Sequence, residues 1–228
     1  MSAVFITSTG TDVGKTFVAC GLIRHIHDQE RMVDAVKPVV SGFLPRKAAT
    51  SDPGLLLTAL GRSATMAEIA RISPWRFAAP LSPDLAAQKE DRQIDFEALV
   101  AFSRQAIKAA PGVLLIEGVG GVMVPLDDRH TVLDWMSALA IPVIIVVGNY
   151  LGTISHTLTA LDVVAGRKLE VLGVVVSDTA RTASLEDNAR VIRRFAGGPQ
   201  VQTLPKLPRN SFRHPTFVEL ARRVLSGG

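Results

Sequence analysis

The sequence predicts an α/β fold in which a parallel sheet carries helices on both faces, and three observations predict it. Apolar runs alternate with amphipathic stretches along the chain, the pattern of repeated strand then helix. Two of the runs, residues 142–147 and 171–176, are almost wholly apolar, as strands buried on both faces must be. No stretch is rich enough in Gly, Ser or charge to serve as a linker, so residues 1–228 are expected to form a single domain.

Taken in order, residues 4–7 read as a short buried strand and 8–14 as a loop of small residues. Helical spacing through Phe17, Leu22, Ile23 and Ile26 places a helix over 15–27. A second strand, 33–37, stops at Pro38. From Val39 to about Ile94 the chain carries Pro45, Pro53, Pro74, Pro80 and Pro83, with short helical pieces at 55–60 and 66–69. This stretch reads as an irregular insertion, and such segments in compact domains are often functional. A helix at 96–109, a strand at 113–116 and a Gly-rich turn at 118–121 follow. The order repeats with helix 131–139, strand 142–147, helix 154–164 and strand 171–176, then helix 184–195. Pro215 suits the first turn of a last helix over 216–225, because its fixed φ and missing N–H cost nothing there.

Composition removes several classes of function. With 47% hydrophobic and 20% charged residues the chain is neither disordered nor collagenous. Its twelve aromatics leave little for the stacking platforms of single-strand nucleic-acid binders. The longest apolar run, 141–148, is eight residues, against the roughly 20 a membrane-spanning helix needs. No basic residue precedes the short apolar stretch 3–6, so no secretory signal is read and a cytoplasmic location is expected. The one cysteine, Cys20, lies among Val18, Ala19 and Leu22 and reads as a buried core thiol. Net charge is +4, with 14 Lys+Arg against 15 Asp+Glu over residues 1–160 and 11 against 6 over 161–228. The C-terminal excess, with Arg190, Arg193, Arg194, Arg222 and Arg223, would attract polyanions; solvated helix faces account for it equally well.

Chemistry concentrates in three segments. Between the first strand and first helix runs Ser8-Thr9-Gly10-Thr11-Asp12-Val13-Gly14-Lys15-Thr16. A phosphate loop needs small residues so that successive N–H groups surround phosphate oxygens, a lysine for the β/γ-phosphates and a hydroxyl for Mg²⁺. Lys15 and Thr16 meet the last two needs. The usual pattern sets four residues between its glycines, whereas Gly10 and Gly14 enclose three and Ser8 stands where a longer loop would begin. Second, the apolar strand before Glu117-Gly118-Val119-Gly120-Gly121 delivers a carboxylate to its C-terminal end, where nucleoside-triphosphatases place a metal-ordering acid. The glycines after it allow backbone to approach a ligand closely. Third, Lys37-Pro38-Val39-Val40-Ser41-Gly42 ends the second strand, where a lysine can pair with phosphate or a developing anion, though most such lysines are simply solvated. The fold class therefore sharpens to a P-loop nucleoside-triphosphatase-like sheet.

Together these segments resemble the dethiobiotin synthetase family. The resemblance rests on residues 11–16 and 37–42, Ser51-Asp52, residues 77–83 and 117–121, and Val147-Gly148 with Leu151-Gly152, in the family's order and near its spacing. Beyond residue 178 only Leu204-Pro205 is similar. The resemblance implies an ATP-dependent cyclo-ligase that joins CO2 to 7,8-diaminopelargonate and closes a ureido ring. It implies that Lys15 and Lys37 stabilise the carbamate and the transferring phosphoryl group, while Thr16, Asp52 and Glu117 hold Mg²⁺. Asp12, Val13, Gly14, Phe17, Gly118, Val119, Gly120, Ser177, Asp178, Pro205, Lys206 and Leu207 would contact the nucleotide together with those residues. Thr11 and Ser41 would contact substrate with Lys37, and Leu151 and Gly152 would take its carboxylate at a helix N-terminus across a homodimer interface, a good place for a carboxylate. Neither nucleic acid nor membrane is an implied partner. By itself, Ser51-Asp52-Pro53 reads as a helix cap or turn.

The chain departs from the family at several positions: Ser8 replaces a glycine, Gly10 an acid and Asp12 a glutamate. Ser177 stands where an asparagine is usual, Lys206 where an apolar residue is common, and Ser155 for a frequent asparagine. A hydroxyl cannot present the paired donor and acceptor of an amide, so weaker discrimination among nucleoside triphosphates is expected. A dimerising nucleotide switch of the chromosome-partitioning type, binding DNA or membrane, is the rival, but positions 8–13 lack that family's extra lysine. A cobyric acid type synthetase would need an amidotransferase domain for which there is no room.

Overall fold

The computed structural model describes residues 3–178, 184–208 and 211–226. Six strands, β1 (Ala3–Ser8), β2 (Val33–Val36), β5 (Val113–Glu117), β6 (Val143–Gly148), β7 (Val171–Ser177) and β8 (Val201–Leu204), form one sheet in the order β2-β5-β1-β6-β7-β8. Every pairing in it is parallel. Parallel neighbours need crossovers, so the C-terminal ends of all six strands lie along one edge, where ligands of open α/β sheets bind.

Alternation along each strand divides the apolar side chains between two layers. In β6, Val143, Ile145 and Val147 pack on one face with α5 (Phe96–Ala109), α6 (Val132–Leu139), α7 (Thr153–Gly166) and α8 (Leu185–Phe195). Ile144 and Val146 pack on the other with α1 (Lys15–Asp28) and α9 (Pro215–Ser226). Cys20 is buried in this second layer as the sequence indicated, and burial, then the charges of Glu117 and Asp52, push its thiol up to about 12. No described helix is long and apolar enough to cross a membrane.

The segment 39–94 is more ordered than the sequence suggested. It holds β3 (Val39–Ser41) paired in parallel with β4 (Trp75–Phe77), a 3-10 turn at Pro45–Thr50, α2 (Asp52–Ala59), α3 (Met66–Ile72) and α4 (Pro83–Gln88). Strands of three residues show no periodicity, and their partners lie over thirty residues apart. Strand β8, Val201–Leu204, was likewise not expected, because Gln202 and Thr203 break its apolar pattern.

How the helices begin bears on function. Ser51, Thr65, Asp95, Thr131 and Ser184 cap α2, α3, α5, α6 and α8, each side chain accepting a first-turn N–H. By contrast α1 and α7 begin at Gly14 and Gly152, at φ 100° and 97°, with no side-chain cap. Their first-turn amides are not consumed by a cap and lie at the C-terminal edge of the sheet.

Candidate active site

Glu117 ends β5. Because Leu115 belongs to the layer shared with α1, alternation turns Glu117 toward α1 as well. There Thr16 Oγ1 donates to Glu117 Oε1 at 2.7 Å, and Lys37 Nζ donates to the same oxygen at 2.6 Å. Lys37 also donates to Gly118 O at 3.0 Å and reaches Asp52 Oδ2 at 3.2 Å. Lys37 is only 2% exposed, so the expectation that such a lysine is usually solvated is overturned here. Ser73 Oγ fixes the lysine's backbone by donating to Lys37 O at 2.6 Å. Asp52 stands in the first turn of α2 behind the Ser51 cap; the cap reading holds, and the same turn carries the carboxylate to Lys37.

Charge within this cluster is uneven. Burial alone would lower Lys37, but Glu117 and then Asp52 outweigh it and hold the ammonium above its ordinary value. Burial raises Glu117 against the pull of Lys37. Burial also acts to raise Asp52, half-exposed at its side chain, yet Lys37 wins and draws it down. Glu117 Oε2 is buried with no hydrogen-bond partner. An orphaned carboxylate oxygen beside a hydroxyl and a second carboxylate is a hard-oxygen set that fits Mg²⁺. No described cluster of three or more His, Cys, Asp or Glu could hold a metal, so phosphate and water oxygens would complete such a shell.

Above the cluster, the loop turns at Asp12 (φ 57°) and Gly14 (φ 100°) into α1. Val13 is buried; Thr11 and Asp12 are exposed. Lys15 Nζ donates to Ser8 Oγ at 2.9 Å and to Gly10 O at 3.0 Å. Burial and the neighbouring Lys37 lower Lys15 to about 8. Protonated Lys15 therefore disappears as pH rises through about 8, so binding of a polyphosphate anion to this loop should weaken on that limb. An affinity profile flat up to the ordinary lysine range of about 10.4 contradicts this.

The glycines after Glu117 also allow close packing within the protein. A Cβ on Gly118 would lie 2.7 Å from the Phe5 ring, and one on Gly121 3.1 Å from the Thr9 backbone. Gly118 thus lets the turn pack on β1, and Gly121 lets it pack on the phosphate loop. Ser177 reaches the loop from β7: a Cβ on Gly14 would meet its Oγ at 3.1 Å. Asp178 accepts from Asn149 Nδ2 at 3.4 Å, and Asn188 Nδ2 donates to Asn149 Oδ1 at 2.7 Å. Neither asparagine was singled out in the sequence, although Asn149 directly follows an apolar strand. Phe17 packs on Phe212 with ring centroids 5.1 Å apart. Pro205, exposed Lys206 and part-buried Leu207 follow β8, while Leu151 (92% exposed) and Gly152 follow β6. Among the described residues, Pro205, Lys206, Leu207, Leu151, Gly152 and Ser41, the last at the end of β3, make no hydrogen bond or ion pair to the Lys37 cluster.

A phosphate loop opening α1 on a parallel sheet, with a carboxylate and a lysine buried beneath it, defines a P-loop nucleotide-dependent enzyme. A family model described as an AAA domain matches residues 2–212. The chain belongs to the ATP-dependent dethiobiotin synthetases, a family of ligases. It is 51% identical over 178 residues to the enzyme of that name from Acidiphilium cryptum, covering 78% of this chain and 80% of the relative. It is 45% identical over 207 residues to that from a Caulobacter species, covering 90% and 89%. Among solved structures, the MinC:MinD cell division complex of Aquifex aeolicus has a chain with TM-score 0.59 at 13% identity, covering 99% of this chain and 96% of that one. The cell division ATPase MinD of Pyrococcus furiosus gives 0.55 at 14%, covering 100% of both. These last two are likenesses of fold.

Proposed function

We propose that the protein carboxylates 7,8-diaminopelargonate with CO2 and closes the ureido ring of dethiobiotin at the expense of ATP. One amine of the substrate adds to CO2 and loses a proton to give a carbamate. A carbamate oxygen attacks the γ-phosphorus and ADP leaves. The second amine then attacks the carbamoyl carbon of the mixed anhydride, phosphate departs and the ring closes. The observation that carries this reading is the meeting of Lys37, Glu117, Asp52 and Thr16 under the loop that holds Lys15. It sets two cations beside a carboxylate pair where anionic substrates would converge.

In this reading Lys15 and Lys37 neutralise charge on the carbamate and the transferring phosphoryl group. Thr16, Asp52 and Glu117 hold Mg²⁺, which when bound supplies charge neutralisation on the phosphates. Lys37 lies between the two carboxylates, Glu117 Oε1 at 2.6 Å and Asp52 Oδ2 at 3.2 Å, which supports a place for it at the reacting end. The amides of residues 11–14 make no hydrogen bond to other described residues, which supports a phosphate cradle in which Asp12 to Phe17 take part. Gly118 to Gly120, Ser177, Asp178 and residues 205–207 complete the nucleotide side. Thr11, Ser41, Leu151 and Gly152 take the substrate, the last two across a homodimer interface, for which the exposure of Leu151 is support. One domain, 1–228, acting in the cytoplasm and without nucleic acid or membrane, completes the proposal.

The test is ADP release by purified protein given Mg-ATP, bicarbonate and the diamine, each omitted in turn. Release is expected only with all of them present. Release that is indifferent to the diamine sinks the assignment and favours a nucleotide switch.

A further inference from the structure

We propose that Ser8 is a positioning residue: its hydroxyl aims Lys15 at the nucleotide and ties the phosphate loop to the turn behind Glu117. Ser8 is the last residue of β1, fully buried, and faces α1. A hydroxyl has one donor and two acceptor sites, and here all are used. Its oxygen accepts from Lys15 Nζ at 2.9 Å and from Gly10 N at 3.3 Å. Its proton has two carbonyls in reach, Gly120 O at 2.8 Å and Gly10 O at 2.6 Å. Meanwhile Ser8 O accepts from Val122 N at 2.9 Å, so backbone and side chain both fasten the glycine turn.

The consequence concerns Lys15. An ammonium has three N–H donors and rotates freely on a flexible stem unless they are engaged. Two donors are spent on Ser8 Oγ and Gly10 O, which fixes the direction of the third. Ser8 also occupies the Gly10 amide, so the loop's anion-binding N–H groups start at Thr11. A glycine at position 8 would keep the backbone carbonyl but supply no side-chain oxygen. Residue 10 is a glycine with no side chain to offer, so the serine supplies the side-chain acceptor for Lys15 in this loop.

This inference rests on the reading that Lys15 meets the β- and γ-phosphates, and the experiment separates the two. ATP, ADP and AMP are titrated calorimetrically into the parent protein and into Ser8→Ala, Ser8→Gly and Lys15→Ala. Loss of a hydrogen bond to a charged group predicts that both Ser8 variants bind ATP and ADP about tenfold more weakly. AMP, which has no β-phosphate, should bind as it does to the parent. A parallel loss for AMP, or unchanged ATP affinity in both Ser8 variants, overturns the role of Ser8. Unchanged ATP affinity in Lys15→Ala instead overturns the assignment of Lys15. The glycine variant guards against a fold that does not tolerate alanine: both variants remove the hydroxyl, and a loss shared by the two is not a packing defect of one.

Discussion

Lys37→Ala is expected to lower kcat at saturating substrates by on the order of 10²–10³-fold, the usual loss when a preorganised charge stabiliser is removed from a water-poor site. KM for ATP should change less, because Lys15 and the loop amides remain. The same change strands Glu117, which is 1% exposed, without the ammonium that neutralises it. Breaking a buried pair from one side costs about 3–5 kcal/mol, so the variant should melt on the order of 10 °C lower. Kinetics are therefore measured well below that temperature, where a fold defect and a chemical defect separate. Lys37 is held above its ordinary value by Glu117 and Asp52. Its stabilising contribution is then fully present below the unfolded lysine value of about 10.4. It fades only as pH rises through the higher folded value. In the variant Glu117 loses the pull of that ammonium and is pushed up further, so the melting difference should narrow as pH falls and the stranded carboxyl takes up a proton. Unchanged kcat at saturating substrate would falsify the role of Lys37 in the chemistry.

The parts of this site that sequence reveals are the parts that are local. Lys15 and Thr16 follow a small-residue loop within nine residues, and a strand pattern ending in Glu117 announces its own edge. The strongly apolar strands β5, β6 and β7 announce a sheet buried on both faces. By its own residues Asp52 is legible only as a helix-cap neighbour, and the family resemblance alone points it at the metal, because its meeting with Lys37 depends on how α2 docks against α1 and β2, a tertiary fact. The burial of Lys37 is hidden for the same reason: nothing adjacent in sequence says that Glu117, 80 residues on, will neutralise it. Ser8 was visible as an oddity in the loop, but its role needed the distances to Lys15 and Gly120. Strands β3 and β4 were missed since three residues cannot display a period, and β8 because Gln202 and Thr203 break its apolar pattern.

Glu117→Gln provides the counterpart, since it removes a charge while keeping shape. Its amide oxygen can still accept from Thr16 and Lys37, and Lys37 keeps Asp52 and Gly118 O as partners. Burial already presses the Glu117 carboxyl toward neutrality, so replacing it by a neutral isostere relieves a desolvation cost that Lys37→Ala leaves in place. Glu117→Gln should therefore melt closer to the parent than Lys37→Ala does. Its activity should not follow its stability. A neutral amide is a poor ligand for a hard divalent cation, and the orphaned Oε2, the atom free to bind one, becomes an NH2 donor of the wrong sign. Turnover is expected to fall by about 10²-fold or more, as for loss of an electrostatic stabiliser. The Mg²⁺ concentration for half-maximal rate should shift upward beside it. If Glu117→Gln instead keeps the parent's rate and Mg²⁺ dependence, the carboxylate is only the counter-charge of a buried lysine. If it loses both while melting like the parent, the Lys37 pair is a functional arrangement that the fold tolerates, and the stability lost in Lys37→Ala measures what that tolerance costs.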